Sequence, residues 1–155
     1  MTIYFYKVSQ PYGCFSNFSL HPIQMHNTYW CTVEHYYQAQ KFVGSPDEKI
    51  IPLIRAASTP EEAAALGRSS TRQLRADWEV VKTQIMREAV LQKFITHLDI
   101  REILLETGQQ CLVEDSPKDY FWGCGANKTG QNHLGRILMS VREELHILSM
   151  KAIAK

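Results

Sequence analysis

"DWEVVKTQIMREAVLQKFITH", residues 77–97, carries the strongest helical rhythm in the chain. Trp78, Val81, Ile85, Ala89 and Leu91 or Gln92 recur at spacings of three or four, so one face of a long helix should be apolar. Asp77 stands where an N-cap belongs. A long helix at the middle of 155 residues weights the fold towards helix, and its flanks point the same way. Downstream, 98–106 reads as a further helix stopped at Gly108, and "CLVE", 111–114, as a short buried strand. Leu134, Ile137, Leu138, Val141, Leu145 and Leu148 then share one face of a C-terminal helix.

Upstream, "STPEEAAALGR", 58–68, is a helix start in compact form. Thr59 is the cap, Pro60 takes the first helical position, Glu61 and Glu62 fill the first turn, and Gly67 lies near the end. A second helix is predicted over 47–57. Another begins after Thr32 and should be stopped by Gly44 and Pro46. "TIYFYKV", 2–8, reads as a strand, and 23–25 as another before a turn at His26-Asn27. Between them, Pro11, Gly13, Asn17 and Pro22 break the aromatic run into a loop. The fold class expected is α+β, predominantly helical, with a small β-sheet and about six helices, as a single domain over 1–155.

Lys and Arg number 17 against 16 Asp and Glu, a net charge of +1. That balance argues against a general polyanion binder, while a local basic patch stays open. Hydrophobic residues at 45% and charged residues at 21% fit a globular protein rather than a disordered one. The N-terminus lacks the pattern of a signal peptide, and no apolar run suits a membrane span. Cys14, Cys31, Cys111 and Cys124 include no C-x-x-C pair, so reduced thiols in a cytoplasmic protein are expected.

"YWCTVEHYYQAQKF", 29–42, places aromatic rings around one carboxylate. On a helix, Val33, Tyr36, Tyr37, Ala39 and Val43 form a broad apolar face, while Glu34, Gln38 and Lys41 line up at i, i+4 and i+7 on the other side. Two readings stand. The stripe faces water, as polar stripes usually do; or it lines a pocket in which rings supply stacking and polar groups supply orientation. Lys41 is poorly spaced for a surface ion pair with Glu34, and Phe15, Phe18, Tyr29 and Trp30 crowd the approach. His35 reads as a general base or as a hydrogen-bonded structural imidazole. No second ligand at helical spacing accompanies it, so no metal is expected.

"SPKDYFWGCGANKTGQNHLGRILM", 116–139, combines Asp119 with aromatic rings, glycines and a helix start. Asn132 is a candidate cap for the last helix, whose amides would favour an anion. Gly135 suggests close packing or a ligand. The segment is neither a P-loop nor a G-x-G-x-x-G fingerprint. Asp119 is a candidate second carboxylate beside Glu34, since two carboxyl groups can divide the work at a sugar carbon. Trp78 and Lys82, four residues apart, form either a stacking and phosphate contact or a core tryptophan with a solvated lysine.

Taken together and in order, "FY" at 5–6, "GCFSNF" at 13–18, "WCTVEHYYQAQKF" at 30–42, "LGR" at 66–68, "WEVVK" at 78–82, "DYFWGCG" at 119–125 and "GQNHLGRILM" at 130–139 resemble the NADAR, or YbiA-like, family. The resemblance implies hydrolysis of N-glycosidic bonds in nucleotide-like substrates, without metal or cofactor. One branch of the family acts on early riboflavin-biosynthesis intermediates and releases ribose 5-phosphate; another removes ADP-ribose from guanine in nucleic acid. By position, Glu34 would be the catalytic carboxylate, with Asp119 as its partner. Trp30, Trp78, Lys82 and Trp122 would neighbour the substrate, together with Phe5, Tyr6, Asn17, His35, Gln38, Lys41, Gly123, Asn132 and Gly135. Cys31 stands where many members have proline, and Cys124 where some have aspartate. Three functions follow: a small-molecule N-glycosidase, an ADP-ribosyl-guanine glycohydrolase acting on DNA, or a non-catalytic ADP-ribose or nucleotide sensor.

Overall fold

The computed structural model describes residues 1–154 of the chain. Its contacts group into two units. One is the continuous run Asn17–Lys93; the other joins Met1–Ser16 to the residues from Phe94 onward. Six α-helices and four short strands are present among the described residues. None of those helices is long and apolar enough to cross a membrane.

Strand β1 (Thr2–Phe5) lies outside the continuous unit, whose first strands are β2 (Ile23–Met25) and β3 (Thr28–Trp30), an antiparallel hairpin with Ile23 opposite Trp30. His26 and Asn27 both have positive φ, 52° and 62°, the backbone of a two-residue turn whose twist matches that of the strands. The turn was legible in sequence. Strand β3 was not, because Thr28–Trp30 merges into the aromatic run before the helix.

Helix α1 (Val33–Gln40) starts where expected, with the Thr32 hydroxyl accepting from the His35 amide. It ends before Gly44, in turns closed by Phe42 and Ser45 amides donating to the Ala39 and Phe42 carbonyls. A 3₁₀ turn at Glu48–Ile50 leads into α2 (Ile51–Ala56), and α3 (Pro60–Gly67) has Thr59 accepting from the Glu62 amide. Helices α2 and α3 both pack on α1. Enclosed in this way, α1 is buried on every side from Val33 to Ala39, whereas Val43 is exposed. The polar stripe predicted to be opposite the core is itself covered.

Helix α4 (Trp78–Thr96) spans the quoted stretch except for its two end residues. Its most buried residues are Trp78, Met86, Ala89, Val90, Lys93 and Phe94. Val81, Ile85 and Leu91 lie at the margin, so the core face is rotated from the one expected. The Asp77 carboxylate takes a two-pronged contact from Arg75, at 2.6 and 3.1 Å.

In the other unit, β1 (Thr2–Phe5) pairs in parallel with β4 (Cys111–Glu114), Thr2 opposite Cys111 and Phe5 opposite Glu114. The small sheet of the expectation is therefore two separate pairs. Alternation places Ile3 and Phe5 inward and Tyr4 outward, as period-two geometry requires. Helices α5 (Leu98–Glu106) and α6 (His133–Ala154) complete this unit, with α6 against both β4 and α5. The buried face of α6 runs through Leu134, Leu138, Val141 and Leu145 but stops short of Leu148, which is exposed. Buried Arg142 donates through one nitrogen to the Thr107 hydroxyl and the Gln110 carbonyl, both at 2.8 Å, closing the end of α5.

Candidate active site

The covered stripe of α1 is the chemical centre of the continuous unit. Glu34 sits in the first helical turn, its amide donating to the Asn17 carbonyl at 3.1 Å. Its carboxylate is therefore at the helix end that favours negative charge. Only 4% of Glu34 is exposed, so the charge depends on donors rather than on bulk water. Gln38 supplies one, its amide nitrogen 2.6 Å from Glu34 Oε1. Arg68, just past the end of α3, brings a guanidinium nitrogen to 3.8 Å of the same oxygen.

Lys41 follows on the same stripe. Burial pushes its ammonium down to about 8, with Glu34 opposing the shift and Arg68 and Lys82 adding to it. Its Nζ lies 5.5 Å from the centre of the Tyr37 ring, and that ring packs against Trp78 at 5.2 Å. Lys82 is largely covered and pairs with the exposed Glu79 at 2.7 Å. Arg68 and Lys41 thus act on the Glu34 carboxylate, and Lys82, offset by Glu79, acts on Lys41. The surplus suits an anion, and the Trp78–Tyr37 pair keeps water from one side.

The other predicted residues of this unit have defined places. His35 is held at both ring nitrogens, by the Thr32 hydroxyl at 2.8 Å and the Ala57 carbonyl at 3.0 Å. A carbonyl only accepts, so Nε2 carries a proton; this is the geometry of a structural imidazole. Asn17 donates its side-chain amide to the Met86 sulfur. Trp30 is buried, edge-on to Tyr36 at 5.5 Å and under the Arg55 guanidinium, and its indole N–H meets no acceptor among the described residues.

In the other unit, residues 119–132 form a closed loop leading into α6. Asp119 Oδ1 accepts from the Phe121 and Trp122 amides at 2.9 and 2.7 Å, so this oxygen shapes its own loop. Trp122 is half-buried beside Phe121 and His133. The first amides of α6, those of His133 and Leu134, donate to the Phe121 and Trp122 carbonyls. They are taken, which removes the expected anion site at that helix end. Asn132 stands at the start of α6, yet its side chain turns to β4, accepting from the Glu114 amide at 3.0 Å and donating to the Leu112 carbonyl at 2.9 Å. Gly135 lies so close to Leu112 and Asn132 that any Cβ there would overlap them. Gly123 accepts from the Asn132 amide in the same loop. Phe5 is a core ring, edge-on to Phe15 at 5.7 Å, and Tyr6 is exposed. The Cys124 thiol is pushed up by burial and then by Asp115, the opposite of an activated nucleophile.

Reading the sequence missed two participants. Arg68 belongs to the "LGR" segment, but a basic residue after a helix end resembles a C-terminal charge rather than a partner for a buried acid. Tyr37 was assigned to the core, where it is, without its role under Lys41.

A carboxylate buried on a helix, bonded by an amide and flanked by Arg68 and Lys41, is enzyme-like equipment for a charged substrate. The chain belongs to the NADAR family, whose domain model matches residues 4–146 and so runs through both units. It is 75% identical over 154 residues to an N-glycosidase of Nostoc punctiforme, covering 99% of each chain. It is 46% identical to the N-glycosidase YbiA of Escherichia coli, over 94% of this chain and 89% of that one. The NMR structure of that E. coli protein superimposes with a TM-score of 0.87, over 96% of this chain and 87% of the other. A maize chloroplastic riboflavin biosynthesis protein, PYRR, is 47% identical over 92% of this chain, which spans 25% of its length. The chain therefore stands among enzymes of the N-glycosidase class.

Proposed function

We propose that the protein hydrolyses the N-glycosidic bond of a small phosphoribosyl compound, with early riboflavin-biosynthesis intermediates as substrates and Glu34 as the catalytic carboxylate. The observation that carries this is the burial of Glu34 with Arg68 against it and Lys41 within reach of its charge, an acid and cations in one place. The names of the maize and N-glycosidase relatives support the substrate class. Residues 1–155 act as one domain in this reading, consistent with a single family model across both units.

Cleavage of the C1′–N bond builds oxocarbenium-like positive charge on the sugar. A fixed carboxylate in a poorly hydrated place stabilises that charge far better than water does. Water adds to C1′ as hydroxide and its proton passes to Glu34; the C1′–N bond pair goes to the departing amine, which takes up that proton and leaves Glu34 ionised again. The cations hold the phosphate, fixing C1′ relative to the carboxylate. Asp119, engaged by its own loop, is assigned to shaping that loop.

The test is to incubate wild type and Glu34→Gln with 5-amino-6-(5-phosphoribosylamino)uracil and quantify ribose 5-phosphate by mass spectrometry. Wild type should release it, and the folded variant at least about a hundredfold more slowly. Equal release by both proteins refutes the role of Glu34, and no release by wild type refutes the substrate.

A further inference from the structure

We propose that Gln38 is a positioning residue: braced against Gly67 at the end of α3, it holds the Glu34 carboxylate in its working orientation. The inference rests on the reading of Glu34 as the catalytic acid. Gln38 is one helical turn beyond Glu34, and such pairs are common on helix surfaces. This one is not on the surface, since Gln38 is 1% exposed.

Its orientation is dictated by chemistry. A carboxylate only accepts, so at 2.6 Å the amide nitrogen must face Glu34. That turns the amide oxygen the other way, where it is buried and meets no donor among the described residues. A buried acceptor without a donor is unfavourable, so helix stability does not account for an amide here. What lies against that oxygen is Gly67. A Cβ at position 67 would overlap the Gln38 amide oxygen and come within 2.8 Å of the Gln38 Cβ and Cδ. The carboxylate selects the pose, and the bare backbone of Gly67 leaves room for it. Arg68 makes a longer contact with the same carboxylate oxygen from an exposed side chain, whereas the Gln38 bond is short and buried.

The test uses the full chain and the same uracil probe, with Gln38→Met, Gln38→Ala, Gly67→Ala and the Gln38→Ala/Gly67→Ala pair, each confirmed folded by circular dichroism. Gln38→Met should lower kcat roughly ten- to a hundredfold with KM near wild type. It should also move the acidic limb of kcat to higher pH, because a donor that favours the carboxylate is gone. Gly67→Ala should cost a smaller factor in the Gln38→Ala background than in wild type, since part of its effect acts through the amide. A KM rise with unchanged kcat would make Gln38 a substrate contact and overturn the proposal. Independently of turnover, the Gln38 side-chain amide resonance should shift in Glu34→Gln and in Gly67→Ala; insensitivity to both overturns it. Retained activity in Glu34→Gln instead overturns the catalytic reading, while the resonance still decides the geometry.

Discussion

Replacing Lys41 by methionine should make the protein more stable at neutral pH and poorer at holding a phosphate. In the folded chain the Lys41 ammonium is pushed to about 8 from an ordinary 10.5, by burial first. At about 1.4 kcal/mol per pH unit, that gap bounds the cost of the buried charge at about 3 kcal/mol. Lys41 also lies just past the C-terminal end of α1, where a cation gains roughly 0.3–1 kcal/mol that methionine forfeits. The expected net gain is between about 2 and 3 kcal/mol. Its pH dependence has a definite sign. Below pH 8 both folded and unfolded chains hold the proton, and the full penalty is present. Between 8 and 10.5 only the unfolded chain holds it, so wild-type stability rises with pH and the advantage of the variant shrinks. Urea denaturation of both proteins at pH 7, 8, 9 and 10 measures this directly. A variant less stable than wild type at pH 7, or an advantage that does not fall with pH, refutes the argument. Ribose 5-phosphate binding to wild type should weaken as pH passes about 8, and Lys41→Met should bind it weakly throughout.

Two further substitutions test the scaffold. Thr32→Val removes the cap of α1 and the hydroxyl on His35 Nδ1, and should cost about 1–2 kcal/mol in urea unfolding. Asn132→Leu leaves the Glu114 amide and the Leu112 carbonyl without their side-chain partners, and should cost about 2–3 kcal/mol; an unchanged midpoint would show that water replaces both bonds.

Local chemistry made much of the fold readable. The Thr-Pro-Glu-Glu start of α3, both ends of α5 and the cap of α1 depend on neighbours within a few residues, and each lies where the sequence places it. What depended on distant partners was not readable. The core face of α4 is set by which elements cover Met86 and Val90 rather than by its own rhythm. Asn132 has the residue type and position of a cap, yet β4 claims its amide. The site was legible as a list, since Glu34, Gln38 and Lys41 stand out by spacing. Spacing could not show that α2 and α3 enclose the stripe, or that the glycine ending α3 meets Gln38 rather than merely stopping a helix.

The parallel pair of β1 and β4 has a consequence for the order of assembly. Thr2 finds its register partner at Cys111, across the whole continuous unit. On a ribosome β1 is therefore made long before the strand that satisfies its backbone, while Asn17–Lys93 already contains the partners for its own hairpin and for the packing of α1. Closing so long a loop is entropically slow. A nascent chain halted before residue 111 would carry an unpaired strand edge at Thr2–Phe5, a state open to association with other chains.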